Sequence, residues 1–229
     1  MGRKPRVPVP RSVERSLDAA LDRALAIERP VVVAYLDRVR RKRPDMTPAQ
    51  VIEQLERRYL AAVVGTGAAS GGTAALPGVG TAASVASGVA EVAAFVTATA
   101  TFVLAVAEVH EVPTHDPQVR RALVLTVLLG EIGQAALAGA DVETKHWAQV
   151  LGRSSSKETV QGINTKLGRL LVTRFGARQG ALMFGRALPF GVGAGVGAAG
   201  NLALGRAAIN SARRVFGPAP TRFPGRIVG

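Results

Sequence analysis

Thirty-two consecutive residues, Tyr59 to Ala90, carry no formal charge in a chain whose net charge is +13. This contrast constrains the fold more than any other feature. An uncharged run of that length is either a helical hairpin buried in a bundle or a pair of segments that enter lipid, where about 20 residues per helix cross the apolar core. Glu91 ends the run, and 16 more uncharged residues, Val92 to Ala107, follow it. The Pro/Gly turn signal Leu76-Pro77-Gly78-Val79-Gly80 divides the run into two arms. The first, Ala61 to Leu76, consists largely of Gly, Ala, Ser and Thr. Such residues gain little in lipid beside the roughly −0.3 to −0.6 kcal/mol of each central Leu, Ile, Phe or Val. The second arm, with Phe95, Val96, Phe102, Val103 and Leu104, is the better candidate for a true span.

Small residues recur at four-residue intervals through both arms: Gly67 and Gly71, then Gly80, Ser84 and Gly88. Ala82, Ala86, Ala90, Ala94 and Ala98 run in parallel. This spacing places small side chains on one helix face and lets two backbones approach closely, so an antiparallel helical hairpin is expected. Leu188 to Gly205, with Gly193 and Gly197, is a C-terminal counterpart able to pack against it. The same small-residue face would serve homo-oligomer contacts.

Positive charge lies outside these segments. Residues 1–58 hold 14 Lys/Arg against 8 acids, 153–186 hold 7 against 1, and 187–229 hold 5 against none. Basic flanks around an uncharged middle suit a polyanion, either the anionic face of a bilayer or nucleic acid. Uniformly basic nucleic-acid binders lack such an interruption, which favours the bilayer. With no cysteine, disulfides, thiolate metal sites and Cys nucleophiles are excluded together. The N-terminus has basic residues but reaches no apolar run before residue 59, so no cleaved export signal is expected.

The remaining pattern is helical, and the expected fold is an all-α bundle built around the Gly/Ala-rich hairpin and the Gly-rich C-terminal helix. Residues 1–11 read as a disordered basic, Pro-rich tail. Residues 12–58 read as basic amphipathic helices, in which Val13, Leu17, Leu21 and Leu25 recur every four positions. Thr47-Pro48-Ala49-Gln50 is an N-cap, a first-turn Pro and a capping-box Gln. Asp116-Pro117 opens another helix, expected to run to about Leu137. Asp141 is placed to cap a short helix carrying Trp147, and a basic amphipathic helix should reach about Gly185. Residues 217–229 read as a disordered tail.

Gly65-Thr66-Gly67, the Leu76 to Gly80 turn, Glu91 opening a helix, Asp116-Pro117, and Leu188 to Ala194 through Gly200-Asn201 together resemble the EcsC family of bacterial helical proteins, over residues 59–216. The resemblance implies a helical, membrane-associated domain connected with transport or secretion, and it carries no catalytic signature. Glu91 stands where the family pattern leads to Asp, and His110-Glu111 where it leads to Tyr-Gly.

The chemical motifs are sparse, and no catalytic residue and no cofactor is expected. Gly195-Val196-Gly197-Ala198-Ala199-Gly200 fits G-x-G-x-x-G, but no acid follows Glu158, so the ribose-binding carboxylate is missing and helix packing is the better reading. Ser154-Ser155-Ser156 lacks a nucleophile elbow. His110, His115 and Asp116, with Glu108 and Glu111 nearby, are the only cluster with zinc-ligand chemistry, set against a helix end whose cap is Asp116. Glu91 is the candidate functional carboxylate, because a lone acid in apolar sequence is costly and faces a partner or a cavity. Arg40, Arg41, Lys42, Arg43, Arg57 and Arg58 are the candidate contacts for lipid head groups or another polyanion. Gly67, Gly71, Gly80, Gly88, Gly193 and Gly197 are the expected packing positions. The leading expectation is a non-enzymatic accessory or scaffold on the cytoplasmic membrane, contacting anionic lipids and a membrane protein complex, with its basic segments cytoplasmic. The alternatives are a soluble helical module that binds nucleic acid and, ranked last, a metal-dependent hydrolase.

Overall fold

The structure, a computed structural model, describes residues 11–26, 29–74, 81–138, 148, 157–186 and 192–223. Among them it is all-α, with eight helices: α1 (Arg11–Leu25), α2 (Arg29–Lys42), α3 (Pro48–Ala74), α4 (Thr81–Val109), α5 (Pro117–Leu129), α6 (Glu131–Ala138), α7 (Lys157–Arg186) and α8 (Val192–Phe216). The helix starts follow local chemistry. At α3, the Thr47 amide donates to Gln50 Oε1 (2.8 Å) and the Gln50 amide to Thr47 Oγ1 (3.3 Å), a reciprocal capping box. At α5, Asp116 Oδ1 accepts from the Gln118 amide (2.7 Å), and Pro117 fills a position whose N–H would have no partner.

The helix expected to continue to Leu137 is broken at Gly130, whose φ of 62° and ψ of −133° lie in a region that disfavours any Cβ. The chain turns there from α5 into α6. Gly133 then packs on the preceding turn so closely that an added Cβ would lie 2.8 Å from the Thr126 carbonyl oxygen. The C-terminal helix also departs from expectation, running to Phe216 rather than Gly205. The expected cap at Asp141, helix with Trp147 and loop at Ser154 to Ser156 fall outside the described residues.

α3, α4 and α8 form the heart of the bundle. α3 and α8 run in opposite directions, since Glu56 meets Arg213 while Val63 meets Asn201. α1 and α2 lie on α4, while α5 joins α4 and α8 to α7. Arg121 of α5 reaches Asp22 (3.3 Å) and Asp18 (3.8 Å) of α1 across that junction. Ala90–Val109 of α4 is long and apolar enough to cross a membrane, and it is the one such segment among the described residues. Two thirds of its most apolar stretch, 67 %, is buried by the other helices. Phe95, Val96, Ala100 and Phe102 to Ala107 are all buried, whereas its exposed positions include Thr97 and Thr101. Most of the apolar surface of this segment is therefore covered by protein.

Residues 217–223, expected as part of a disordered tail, are placed. Gly217 (φ 78°) terminates α8 with its amide on the Arg213 carbonyl (3.0 Å). Phe223 then packs against the core, its ring 4.6 Å from the guanidinium of Arg40.

Candidate functional site

Polar groups inside the α3/α4/α8 core are few and connected. Asn201 of α8 is buried and its side-chain amide donates to Glu91 Oε1 on α4 (3.1 Å) and to the Val63 carbonyl on α3 (2.9 Å). One amide group thus ties three helices at a single level. Glu91 is 7 % exposed, so the lone acid faces a protein partner, which is how a carboxylate is tolerated in an apolar interior. Further along α3, the Tyr59 hydroxyl lies 2.9 Å from Thr99 Oγ1. Thr99 gives its own proton to the Phe95 carbonyl (2.8 Å), so Tyr59 is the donor between them. The Tyr59 ring stacks on Phe102 at 4.8 Å. Burial raises the Tyr59 hydroxyl above its ordinary value of 10.0, and the Thr99 hydrogen bond offsets this only in part.

Beyond Tyr59, Glu56 accepts both Nε (2.8 Å) and Nη2 (2.6 Å) of Arg213. The Glu56 side chain is 8 % exposed while that of Arg213 is 62 % exposed. The pair therefore closes the bundle surface over a buried carboxylate, and the hydrogen bond to Glu56 raises the Arg213 guanidinium further above its ordinary range.

The cluster from Glu108 to Asp116 is not brought together as a ligand set. Glu108 is buried and accepts from Thr114 Oγ1 (2.8 Å). The His110 ring stacks on Phe216 of α8 at 5.4 Å. Glu111 takes a left-handed backbone (φ 55°) at the end of α4, His115 is exposed, and Asp116 is the cap of α5. Five neighbours in sequence thereby serve separate ends, because the chain reverses direction between α4 and α5. Among the described residues no group of three His, Asp or Glu side chains is arranged to hold a metal ion.

The basic candidates are divided in the same way. Arg40 lies over Phe223, Arg57 pairs with Glu53 one helical turn earlier (2.8 Å), and Arg58 donates to the Tyr35 hydroxyl of α2 (2.7 Å). Arg41, Lys42 and Arg43 are exposed. Of the glycines, Gly67 is buried on α3. Gly71, Gly88, Gly193 and Gly197 fall within α3, α4 and α8, where the packing of these positions is outside the described residues, as is all of Gly80. The close approach that the structure does show is at Gly205, where an added Cβ would lie 2.9 Å from both Leu60 Cδ2 and Val63 Cγ2. Gly200 meets nothing within 4 Å. Gly200→Ala is therefore expected to stabilise α8 by about 0.5–1 kcal/mol, the usual helix advantage of Ala over Gly. Gly205→Ala should destabilise by about 1–3 kcal/mol through overpacking against the fully buried, β-branched Val63. Paired urea titrations test this, and equal effects at the two positions would refute it.

A cleft of about 750 Å³ opens where α3, α4, α6 and α8 meet, with Gly217, Pro218 and Ala219 of the following segment on its wall. Ile52, Phe102, Val106 and Phe216 line its apolar part, and Glu56, His110, Gln134, Arg213 and Arg214 its polar part. Asn201, Arg213 and this cleft were not singled out from sequence. Asn201 carries a signal, being the lone amide in the uncharged stretch 192–205 as Glu91 is the lone acid between residues 59 and 107. Arg213 and Glu56 carried none, since both read as ordinary charged-face residues.

Fold and site together define a helical bundle whose core is tied by one amide–carboxylate node and whose cleft combines arginines with apolar side chains. Comparison with protein-family models, with curated proteins and with solved structures gives no match to this chain.

Proposed function

We propose that this is a non-enzymatic accessory protein, resembling the EcsC family, that docks on the cytoplasmic membrane through the uncharged ends of α3, α4 and α8. One observation carries the reading: α3 and α8 change from charged to uncharged at a common level and, beside the uncharged start of α4, continue in the same direction. Arg57 and Arg58 on α3 and Arg206 on α8 lie near that level, because Gly205 packs against Leu60 and Val63. Beyond it, residues 59–74, 81–90 and 192–205 contain no charged residue, and Glu91, the next acid, is held by Asn201. At about 1.5 Å per residue the uncharged part of α3 extends about 24 Å, short of the roughly 30 Å apolar thickness of a bilayer. The ends therefore enter one leaflet without crossing, with the three arginines at head-group level.

α7 is consistent with shallow entry. Its last part carries Arg174, Arg178 and Arg186. Arg40 to Arg43 belong to the other end of the bundle, beside the segment that follows α8, and remain in the cytoplasm. They are available there to a membrane protein complex rather than to the same lipid surface.

The absence of cysteine makes single-cysteine labelling direct. With an environment-sensitive dye at Ser70→Cys or Ala86→Cys, vesicles containing phosphatidylglycerol are expected to shift emission to the blue. Dye at Thr221→Cys, on the opposite end, should not respond. Binding should also weaken with salt, as head-group contacts are screened. A silent dye at both helix ends would overturn the membrane reading, and salt-sensitive retention on DNA or RNA in the same samples would replace it with the nucleic-acid module.

A further inference from the structure

We propose that the cleft between α3, α4, α6 and α8 binds a small acid-headed amphiphile, an apolar chain ending in a carboxylate or a phosphate. The site lies at the end of α3 and α8 opposite the uncharged segments and is independent of the membrane reading. Its volume of about 750 Å³ falls in the roughly 300–1,000 Å³ range of small-molecule pockets, which combine apolar walls with a few placed polar groups. Ile52, Phe102, Val106 and Phe216 supply the apolar wall.

The charge preference follows from which lining groups are already committed. Both carboxylates are occupied: Glu56 holds two N–H groups of Arg213, and Glu53 is paired with Arg57. Arg214 is held more loosely. Its Nε donates to Gln134 Oε1 at 3.2 Å, and its nearest acid, Glu131, is 3.8 Å away with a side chain 87 % exposed. Gln134 is itself oriented, donating to Ser211 at 3.1 Å. The guanidinium is thus aimed by a neutral partner while its charge is answered only by a solvated carboxylate. An acid head group completes that arrangement through charge-assisted hydrogen bonds, with Arg213 adjacent, while an ammonium head would meet like charge. A simple anion such as acetate would leave the apolar wall uncovered, so recognition needs both parts of the ligand.

The test is calorimetric titration of the full chain with dodecanoate and, side by side, with a lysophosphatidate, each below its self-association concentration. Saturable one-to-one binding of either supports the site. Preference for dodecanoate assigns a free chain acid, and preference for the lysophosphatidate assigns a lipid-derived phosphate. Arg214→Ala, on the surface, should weaken binding at least tenfold, and Ile52→Trp, filling the apolar wall, should weaken it at least as much. Arg23→Ala, an exposed α1 arginine outside the cleft, should bind as the parent does. Circular dichroism melts confirm that each variant is folded. Equal binding of dodecylammonium, loss of affinity in Arg23→Ala equal to that in Arg214→Ala, or failure of both ligands to bind overturns the proposal.

Discussion

Replacing Asn201 with leucine is expected to lower the unfolding free energy by about 2–4 kcal/mol, because the substitution removes the donor from a buried carboxylate and from the Val63 carbonyl in one step. Asn201 is 6 % exposed and contacts both acceptors, at 3.1 Å and 2.9 Å. Val63 loses least, since Thr66 Oγ1 also donates to its carbonyl at 2.9 Å. Most of the cost falls on Glu91, where a charge stays buried with one donor fewer. That assignment has a consequence for a second change. Glu91→Gln removes the charge while keeping the shape, so it should recover part of the loss in the Asn201→Leu background, with a coupling of about 0.5–3 kcal/mol between the two positions. Urea denaturation of the parent, both single variants and the double variant measures it. Additive effects would mean that the amide does not serve the carboxylate and that the node is incidental packing.

Tyr59→Ala is expected to cost about 3–5 kcal/mol, the usual range for deleting a fully buried aromatic ring. Tyr59→Phe, which keeps the stack on Phe102, should cost only about 0.5–1.5 kcal/mol for the lost hydrogen bond to Thr99. The two variants differ in a further way that depends on pH. Burial holds the Tyr59 proton more tightly in the folded chain than in the unfolded one. Below pH 10 both states keep the proton, and the contribution is fully present. Above it, the unfolded chain ionises first while the folded chain stays neutral, so stability falls as pH rises until the folded hydroxyl ionises in turn. The parent should therefore lose stability from about pH 10 to about pH 11.5, above the ordinary tyrosine value, more steeply than Tyr59→Phe. Parallel slopes for the two proteins across that window would show that Tyr59 is not the titrating group.

Several elements are legible in the sequence alone because their causes are local. The capping box at Thr47 and the Asp116-Pro117 start depend on side chains reaching amides two or three residues away, and both appear as read. The all-α class follows from the four-residue periodicity of apolar and small residues. The break at Gly130 was missed although Gly130 is in plain sight. Apolar periodicity continues through it, and only the tertiary structure shows the turn at Gly130 and the close approach of Gly133 to Thr126. The tail was missed for a related reason. Three prolines and two arginines after Phe216 give no helix signal, yet Phe223 finds the core and Arg40.

The site shows the same division. Glu91 could be picked out as an acid that must have a partner, since the cost of an unpaired buried charge is independent of the fold. Which partner it has could not be read, because Asn201 lies 110 positions away. Likewise, His110, His115 and Asp116 are neighbours along the chain and were grouped as such, but the reversal between α4 and α5 sends them to different surroundings. What the sequence by itself determined is the helical class, the capped starts and the separation of charged from uncharged segments, since all three arise from interactions within a few residues. Only the tertiary structure decided that the most apolar part of α4 is mostly covered by protein, that Gly205 rather than Gly200 is the tight contact, and that Arg213 closes over Glu56 beside a cleft. Each of those depends on the relative register of α3, α4 and α8, which is set by side chains from distant parts of the chain meeting across helices.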